Sequence, residues 1–258
     1  MSRNPLPIRR LRAQPRLDTL RPRLPDGARS TLHVARFAVE AWTPRVVAFE
    51  RPTQLVRWCR AQGVLHAVVG GFFLRPDYLP LGELRIAGSV RPFVAFDAPW
   101  GDVRACVHVA SARLRIASRQ VLGAEPPGDM LQAGPLLVLD GRRAIVEGED
   151  REGFAAGAHQ FDSDITLGRY PRAALAVAGE QLLAVACDGR TRRDAGMTLA
   201  EVADALIELG ASEALNLDGG GSASLVYGGR LRNRPREQHG VDLLDGRPVV
   251  TAIAFEAR

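Results

Sequence analysis

The segment Leu217-Asp218-Gly219-Gly220-Gly221-Ser222 constrains this chain more than any other. Consecutive glycines have no Cβ and lose the most entropy when ordered, so they weaken any helix or strand and force a loop. The chain is apolar on either side and reads as strand, with Ala214, Leu215 and Leu217 before the loop and residues 223–227 after it. The result is a strand–loop–strand unit with an aspartate at its mouth. Without side chains the loop backbone can approach a ligand closely and turn its N–H groups toward an anion. Asp218 adds a fixed negative charge, which suits a substrate with both a phosphate and a centre that becomes positive. The same residues also read as a plain glycine turn whose aspartate bonds its own backbone.

With 258 residues the chain has room for one large domain or two small ones, and 46% hydrophobic residues suffice for a sizeable core. No apolar run reaches the length of a membrane span. The basic N-terminus lacks the apolar stretch of a secretory signal, so a cytoplasmic location is expected. Cys59, Cys106 and Cys187 are far apart and form no CxxC pair, which fits buried thiols in a reducing compartment rather than disulfides or zinc. The formal charge is +5, and the chain has no lysine, so its long cations are all arginine. A guanidinium binds phosphate through two donors, which makes an anionic partner plausible. Residues 1–26 hold much of the excess charge, with Arg9, Arg10, Arg12, Arg16, Arg21 and Arg23 among five prolines, and read as an extended basic arm. No aromatic residue is interleaved there to stack on bases, which speaks against nucleic acid as a partner.

The folded domain is expected over residues 27–258. Residues 31–39, 46–49 and 64–69 read as strands. Residues 53–62 read as a helix with Leu55, Val56 and Cys59 on one face and Gly63 as terminator. Short strands are expected at 93–96, 104–110, 114–116 and 136–139. Residues 147–170 are charged and glycine-bearing, and a loop of that length suggests a functional segment. Residues 173–178 and 181–187 form a hairpin around Gly179-Glu180. A helix over 199–209 opens on the capping box Thr198 and Glu201 and stops at Gly210. Two segments share one pattern of helix, glycine, strand and glycine run, ending at Gly70-Gly71 and at Gly219-Gly220-Gly221. A repeat of this kind would bring both glycine loops to one end of a shared sheet.

Several motifs, taken together and in order, resemble the phosphodiester glycosidase family, which spans bacterial exopolysaccharide-associated proteins and the catalytic domain of the mannose 6-phosphate uncovering enzyme. Asn216-Leu217-Asp218-Gly219-Gly220-Gly221-Ser222 resembles its NLDGGGS signature. Gly70-Gly71-Phe72-Phe73, Gln132-Ala133-Gly134-Pro135 and Pro171-Arg172-Ala173-Ala174 resemble its NGGFF, aGP and PRTA segments. Asp188-Gly189-Arg190 precedes a helix opening Gly196-Met197-Thr198-Leu199, and Asn233-Arg234-Pro235 and Arg247-Pro248-Val249 resemble its NxP and RPV. The likeness covers residues 27–256. The chain departs from the family at Val69, where an Asn is expected, and at Ala173, where a Thr is expected.

The resemblance implies a hydrolase that cleaves a sugar from a small or polymeric phosphodiester at the anomeric bond. Phosphate is a good leaving group, so that reaction needs a carboxylate and phosphate donors more than a strong acid. Asp218 is the first candidate carboxylate and Asp188 the second, unless Asp188 only stabilises a turn. Arg172 is the candidate phosphate clamp or else a surface ion pair. Gly70, Gly71, Gly219, Gly220, Gly221 and Ser222 would complete a cradle, and Asn216 and Asn233 bind sugar or pin loops. Glu83 and Glu147 are possible second carboxylates. His66, His108 and His159 lack HxH or HExxH spacing and read as core or surface; no metal and no cofactor is called for. The expected fold is α+β, a single domain of mixed, largely antiparallel sheet with a few packed helices. The departures at Val69 and Ala173 keep a second function open, a non-catalytic carbohydrate- or phosphosugar-binding protein of the same fold.

Overall fold

The computed structural model describes residues 14–146, 149–154 and 165–258. A seven-stranded sheet runs Arg16–Leu20, Leu32–Ala38, Gln181–Cys187, Arg172–Ala178, Glu213–Asn216, Leu136–Leu139, Arg142–Arg143. A second sheet of five strands runs Arg113–Ser118, Ala105–Ala110, Asp129–Gln132, Leu84–Ile86, Ser89–Val90. A third, also of five, runs Arg230–Leu231, Leu225–Tyr227, His66–Val69, Pro248–Ala257, Trp42–Gln54. Phe73–Leu74 and Leu79–Pro80 form a separate two-stranded ribbon. The helices are α1 (Leu55–Gln62), the single turn α2 (Trp100–Val103) and α3 (Leu199–Glu208). The chain is thus mostly antiparallel sheet with three helices, and the expected α+β class holds in that coarser form. Among the described residues the parallel component shrinks to one bridge, Leu81 to Val94.

Period-two alternation decides how the seven-stranded sheet is covered. Ala173, Leu175, Ala184 and Leu215 point into a core shared with Val47, Val68 and Ile253 of the third sheet and Val107, Ile116 and Leu131 of the second. Ala174, Ala176, Val185 and Ala214 point the other way, into a core closed by Leu199, Val202, Ala203 and Leu206 of α3. Both faces are buried, which is why these strands read as unbroken apolar runs. Helix α3 starts as expected: Thr198 Oγ1 accepts the Glu201 N–H at 3.1 Å and Glu201 Oε2 accepts the Thr198 N–H at 2.9 Å. Helix α1 ends on Gly63 in the left-handed region at φ 68°, where glycine has no Cβ penalty. It begins two residues later than expected, because residues 53 and 54 still pair with Val249 and Pro248 in the third sheet. None of the described helices is long and apolar enough to cross a membrane.

Three expectations need correction. The basic arm does not extend to residue 26: Arg16–Leu20 pairs with Leu32–Ala38 from Arg16 opposite Arg36 to Leu20 opposite Leu32, and Leu24 is buried under the α3 core. Residues 1–13 lie outside the described residues. Residues 93–96 form no strand, only the bridge at Val94. The two similar helix–strand units do not share a sheet: His66–Val69 belongs to the third and Glu213–Asn216 to the first. Of the expected long loop, residues 149–154 and 165–170 are described, and 147–148 and 155–164 lie outside the described residues.

Candidate functional site

The two glycine loops converge although their sheets differ. The Asp218 N–H donates to the Gly70 carbonyl at 3.0 Å, which joins the end of the first sheet to the end of the third. Beside this joint opens a cavity of about 870 Å³. Asn216, Asp218 and Gly219–Gly221 line it from the first sheet, residues 72–76 form one wall, Tyr170, Arg172 and Arg190 another, and Glu237, Gln238 and Arg247 a third. Gly70 and Gly71 sit behind the wall rather than in it. A Cβ on Gly70 would fall 2.3 Å from Thr251 Oγ1, and one on Gly71 would fall 2.9 Å from the Gln132 carbonyl, so each glycine is required by close packing.

Asp218 is the one acidic candidate that the structure places in the cavity. Its side chain accepts the Gly219 N–H at 2.9 Å. Burial raises its carboxyl to about 6; Ser222, the Arg247 guanidinium, the Gly219 N–H and Arg75 oppose that rise only in part. The Ser222 hydroxyl influences the carboxyl but makes no well-formed hydrogen bond, and it lies fully buried below the cavity lining. Asp188, the second candidate, does not line the cavity. Its Oδ1 accepts the Arg234 N–H at 2.5 Å and its Oδ2 lies 3.4 Å from His33 Nε2, so it anchors the 233–236 segment.

The glycine loop does not offer the row of free N–H groups expected of it. Gly219 N–H is spent on Asp218, Gly220 N–H on the Pro171 carbonyl at 2.8 Å, and Ser222 N–H on the Gly219 carbonyl at 3.1 Å. What the glycines provide is room for close neighbours, the Pro171 carbonyl at Gly219 and a Leu243 methyl at Gly221 and, beyond these, two arginines. A Cβ on Gly220, whose φ is 58°, would lie 3.4 Å from Arg190 Nη2. A Cβ on Gly221 would lie 3.1 Å from Arg247 Nη2 and from Glu237 Oε1. Arg247 donates to Glu237 Oε1 from Nη2 at 2.5 Å and Nε at 3.0 Å, while its own N–H donates to the Gly221 carbonyl at 3.1 Å. The hydrogen bond from Arg247 holds the Glu237 carboxyl below its usual range. Arg190 donates to the Arg236 carbonyl at 2.6 Å. The Tyr170 ring lies 5.1 Å from the Arg172 guanidinium carbon and 5.7 Å from that of Arg190, within cation–π reach of both.

Arg172 lines the cavity, but its fork is engaged. Nε donates to the Met197 carbonyl at 3.2 Å, Nη1 to Ile165 at 3.0 Å and Nη2 to Gly168 at 3.3 Å. It holds residues 165–168 against α3's entry rather than presenting an open clamp. Asn233 is likewise a pin, taking the Leu225 N–H at 2.9 Å and donating to the Ala223 carbonyl at 2.7 Å. Glu83 is elsewhere, bonded to Arg119 at 2.5 Å and Arg85 at 2.6 Å beside a separate cavity of about 430 Å³. His66 and His108 are buried, and His159 and Glu147 lie outside the described residues. Among the described residues no group of three or more His, Cys, Asp or Glu could hold a metal ion. Arg190 and Arg247 stand inside quoted motifs, but nothing in spacing singles them out; Arg75, Tyr170 and Glu237 carry no sequence signal at all.

Residues 62–256 match the model of the phosphodiester glycosidase family. The chain belongs to this family. Solved structures share its fold. The catalytic domain of zebrafish N-acetylglucosamine-1-phosphodiester alpha-N-acetylglucosaminidase, auto-inhibited by its pro-peptide, aligns with TM-score 0.70 at 18% identity over 95% of this chain and 83% of that one. A hypothetical protein from Synechocystis aligns with TM-score 0.66 at 19% identity over 95% of this chain, which spans 62% of the Synechocystis chain. At these identities the likeness is one of fold. No curated protein matches the chain.

Proposed function

We propose that this phosphodiester glycosidase family member is a hydrolase that adds water at the anomeric carbon of a glycosyl phosphodiester and releases a free sugar and a phosphomonoester. The observation that carries this is the Asp218 carboxyl, held near pKa 6 in a cavity walled by Arg75, Arg190 and Arg247, where the other lining carboxyl, Glu237, is bonded to Arg247. Ionised, Asp218 is placed to stabilise positive charge at the anomeric carbon or to activate water there. The departing phosphate needs no strong acid, and the three arginines supply donors and charge for it in place of Arg172. The substrate is a small or polymeric sugar phosphodiester.

Turnover of a chromogenic sugar phosphodiester in water enriched in oxygen-18 tests this directly. Cleavage at the anomeric bond puts the label in the sugar; label in the phosphate would overturn it. The engagement of Arg172 by loop carbonyls favours one alternative, a phosphosugar-binding protein. Binding of sugar phosphates by the wild type without turnover, across a broad panel of diesters, would establish that reading instead.

A further inference from the structure

We infer that Asn216 reads a hydrogen-bond donor on the sugar beside the bond that breaks, so that favoured substrates carry a hydroxyl or an amide N–H there. This rests on the glycosyl phosphodiester reading above and narrows it.

Asn216 is the last residue of the strand Glu213–Asn216 and is 1% exposed. Its backbone is locked: its N–H donates to the Pro135 carbonyl and its carbonyl accepts the Gly134 N–H, both at 3.1 Å. Its side-chain Nδ2 donates to the Gly134 carbonyl at 2.8 Å. A carbonyl accepts and cannot donate, so this contact fixes which end of the amide is nitrogen and which is oxygen. Oδ1 is the end left over, and it has no partner among the described residues. Buried polar atoms are nearly always satisfied, so an orphan oxygen on a residue that lines a cavity points to a bond that a ligand completes. Ser222 and Ser224 also hold unpartnered hydroxyls, but neither lines the cavity.

The chemistry of the missing half follows from the atom. An amide oxygen accepts only, so its partner must donate. An ionised phosphate and a ring oxygen only accept, and both are refused. Asn216 therefore faces the sugar and leaves the phosphate to the arginines. Asn216 and Asp218 line the same cavity two residues apart, and the inference places the donor that Asn216 meets next to the anomeric centre.

The test uses the whole chain and three probes that need no turnover: glucose 1-phosphate, N-acetylglucosamine 1-phosphate and 2-deoxy-2-fluoroglucose 1-phosphate. These carry a hydroxyl, an amide N–H and no donor next to the anomeric carbon. Calorimetry of the wild type is expected to show the fluoro sugar bound about 10- to 100-fold more weakly than the better of the other two, and which of those is better identifies the donor. In Asn216→Ala that ratio should collapse to within about 3-fold. Each protein is its own control, so a general loss of affinity does not mimic the effect. Asn216→Leu, of similar volume and without an acceptor, should lose the preference in the same way and serves if the alanine variant fails to fold. Equal binding of all three by the wild type, or an undiminished ratio in Asn216→Ala, would overturn the inference. Discrimination without turnover of the matching diesters would leave it standing and sink the hydrolase reading; no binding of any probe by the wild type would sink both.

Discussion

At pH above about 6 the Asp218 carboxyl is charged in surroundings that favour its neutral form, so ionising it works against the fold. Its folded pKa lies above the ordinary aspartate value of 3.8, so its contribution to stability is fully present below 3.8 and is lost as pH rises through about 6. Asp218→Asn keeps the shape and removes that cost. Urea melts should show the variant more stable by about 1–2 kcal/mol at pH 8, with the gain gone below pH 4. Turnover should be abolished in the same protein. In the wild type kcat/KM should rise with pH through an apparent pKa near 6 if the carboxylate is the working form; a flat profile, or full activity in Asp218→Asn, would remove Asp218 from the chemistry. The place of Asp218 at the mouth of the glycine loop was legible at this scale, and the structure puts it in the cavity lining. Asp188 before Gly189 carries the same local signal and turned out to be an anchor, since only the fold reveals that Arg234 and His33 surround it.

Among the elements, the first strand is the one that sequence conceals. Arg16–Leu20 has charges and flanking prolines that mimic an unstructured arm, and its apolar partner Leu32–Ala38 becomes visible only as a pair. The Tyr227 hydroxyl also donates to the Pro15 carbonyl at 2.5 Å, so this strand is tied to the third sheet as well. Deleting residues 1–24 should therefore lower Tm by several degrees, as about 1 kcal/mol already shifts a domain of this size by 2–4 °C; an unchanged melt would return the segment to the status of a tail. Helix α3 is the opposite case. Its capping box and apolar face are local, and both appear where they were expected. Thr198→Ala should cost about 0.5–2 kcal/mol, read from chemical melts. Arg172 makes its prediction through the segment it holds. Arg172→Ala should expose residues 165–170 to proteolysis and weaken phosphorylated and neutral sugars alike, because three loop carbonyls lose their donor. Selective loss of the phosphorylated ligand would restore the clamp.

For the molecule as a whole, acid and base act on different sheets. His66 is buried among Phe37, Trp42 and Tyr227, and burial, aided by the charge on Arg232, lowers its pKa from 6.5 to about 4. Its stability contribution is therefore present above 6.5 and lost as pH falls through about 4, opposite in sign to that of Asp218. His66→Gln should flatten the acid branch of the stability curve and leave the branch above pH 7 unchanged; an identical acid branch would place the sensitivity elsewhere. The family was legible from ordered motifs, and the sheets were not, because strands such as Trp42–Gln54 and Pro248–Ala257 meet only after most of the chain has intervened. The joint between sheets also has a use for anyone who wishes to retailor the protein. The cavity stands on the seam of the first and third sheets, and residues 75 and 76 on its wall fall in the turn between Phe73–Leu74 and Leu79–Pro80. That turn contributes to no ladder of the three large sheets. Grafting a longer insert after Pro76 would reshape that wall while Arg75 and every ladder hydrogen bond of those sheets stay in place, so the scaffold tolerates a change that its selectivity would feel.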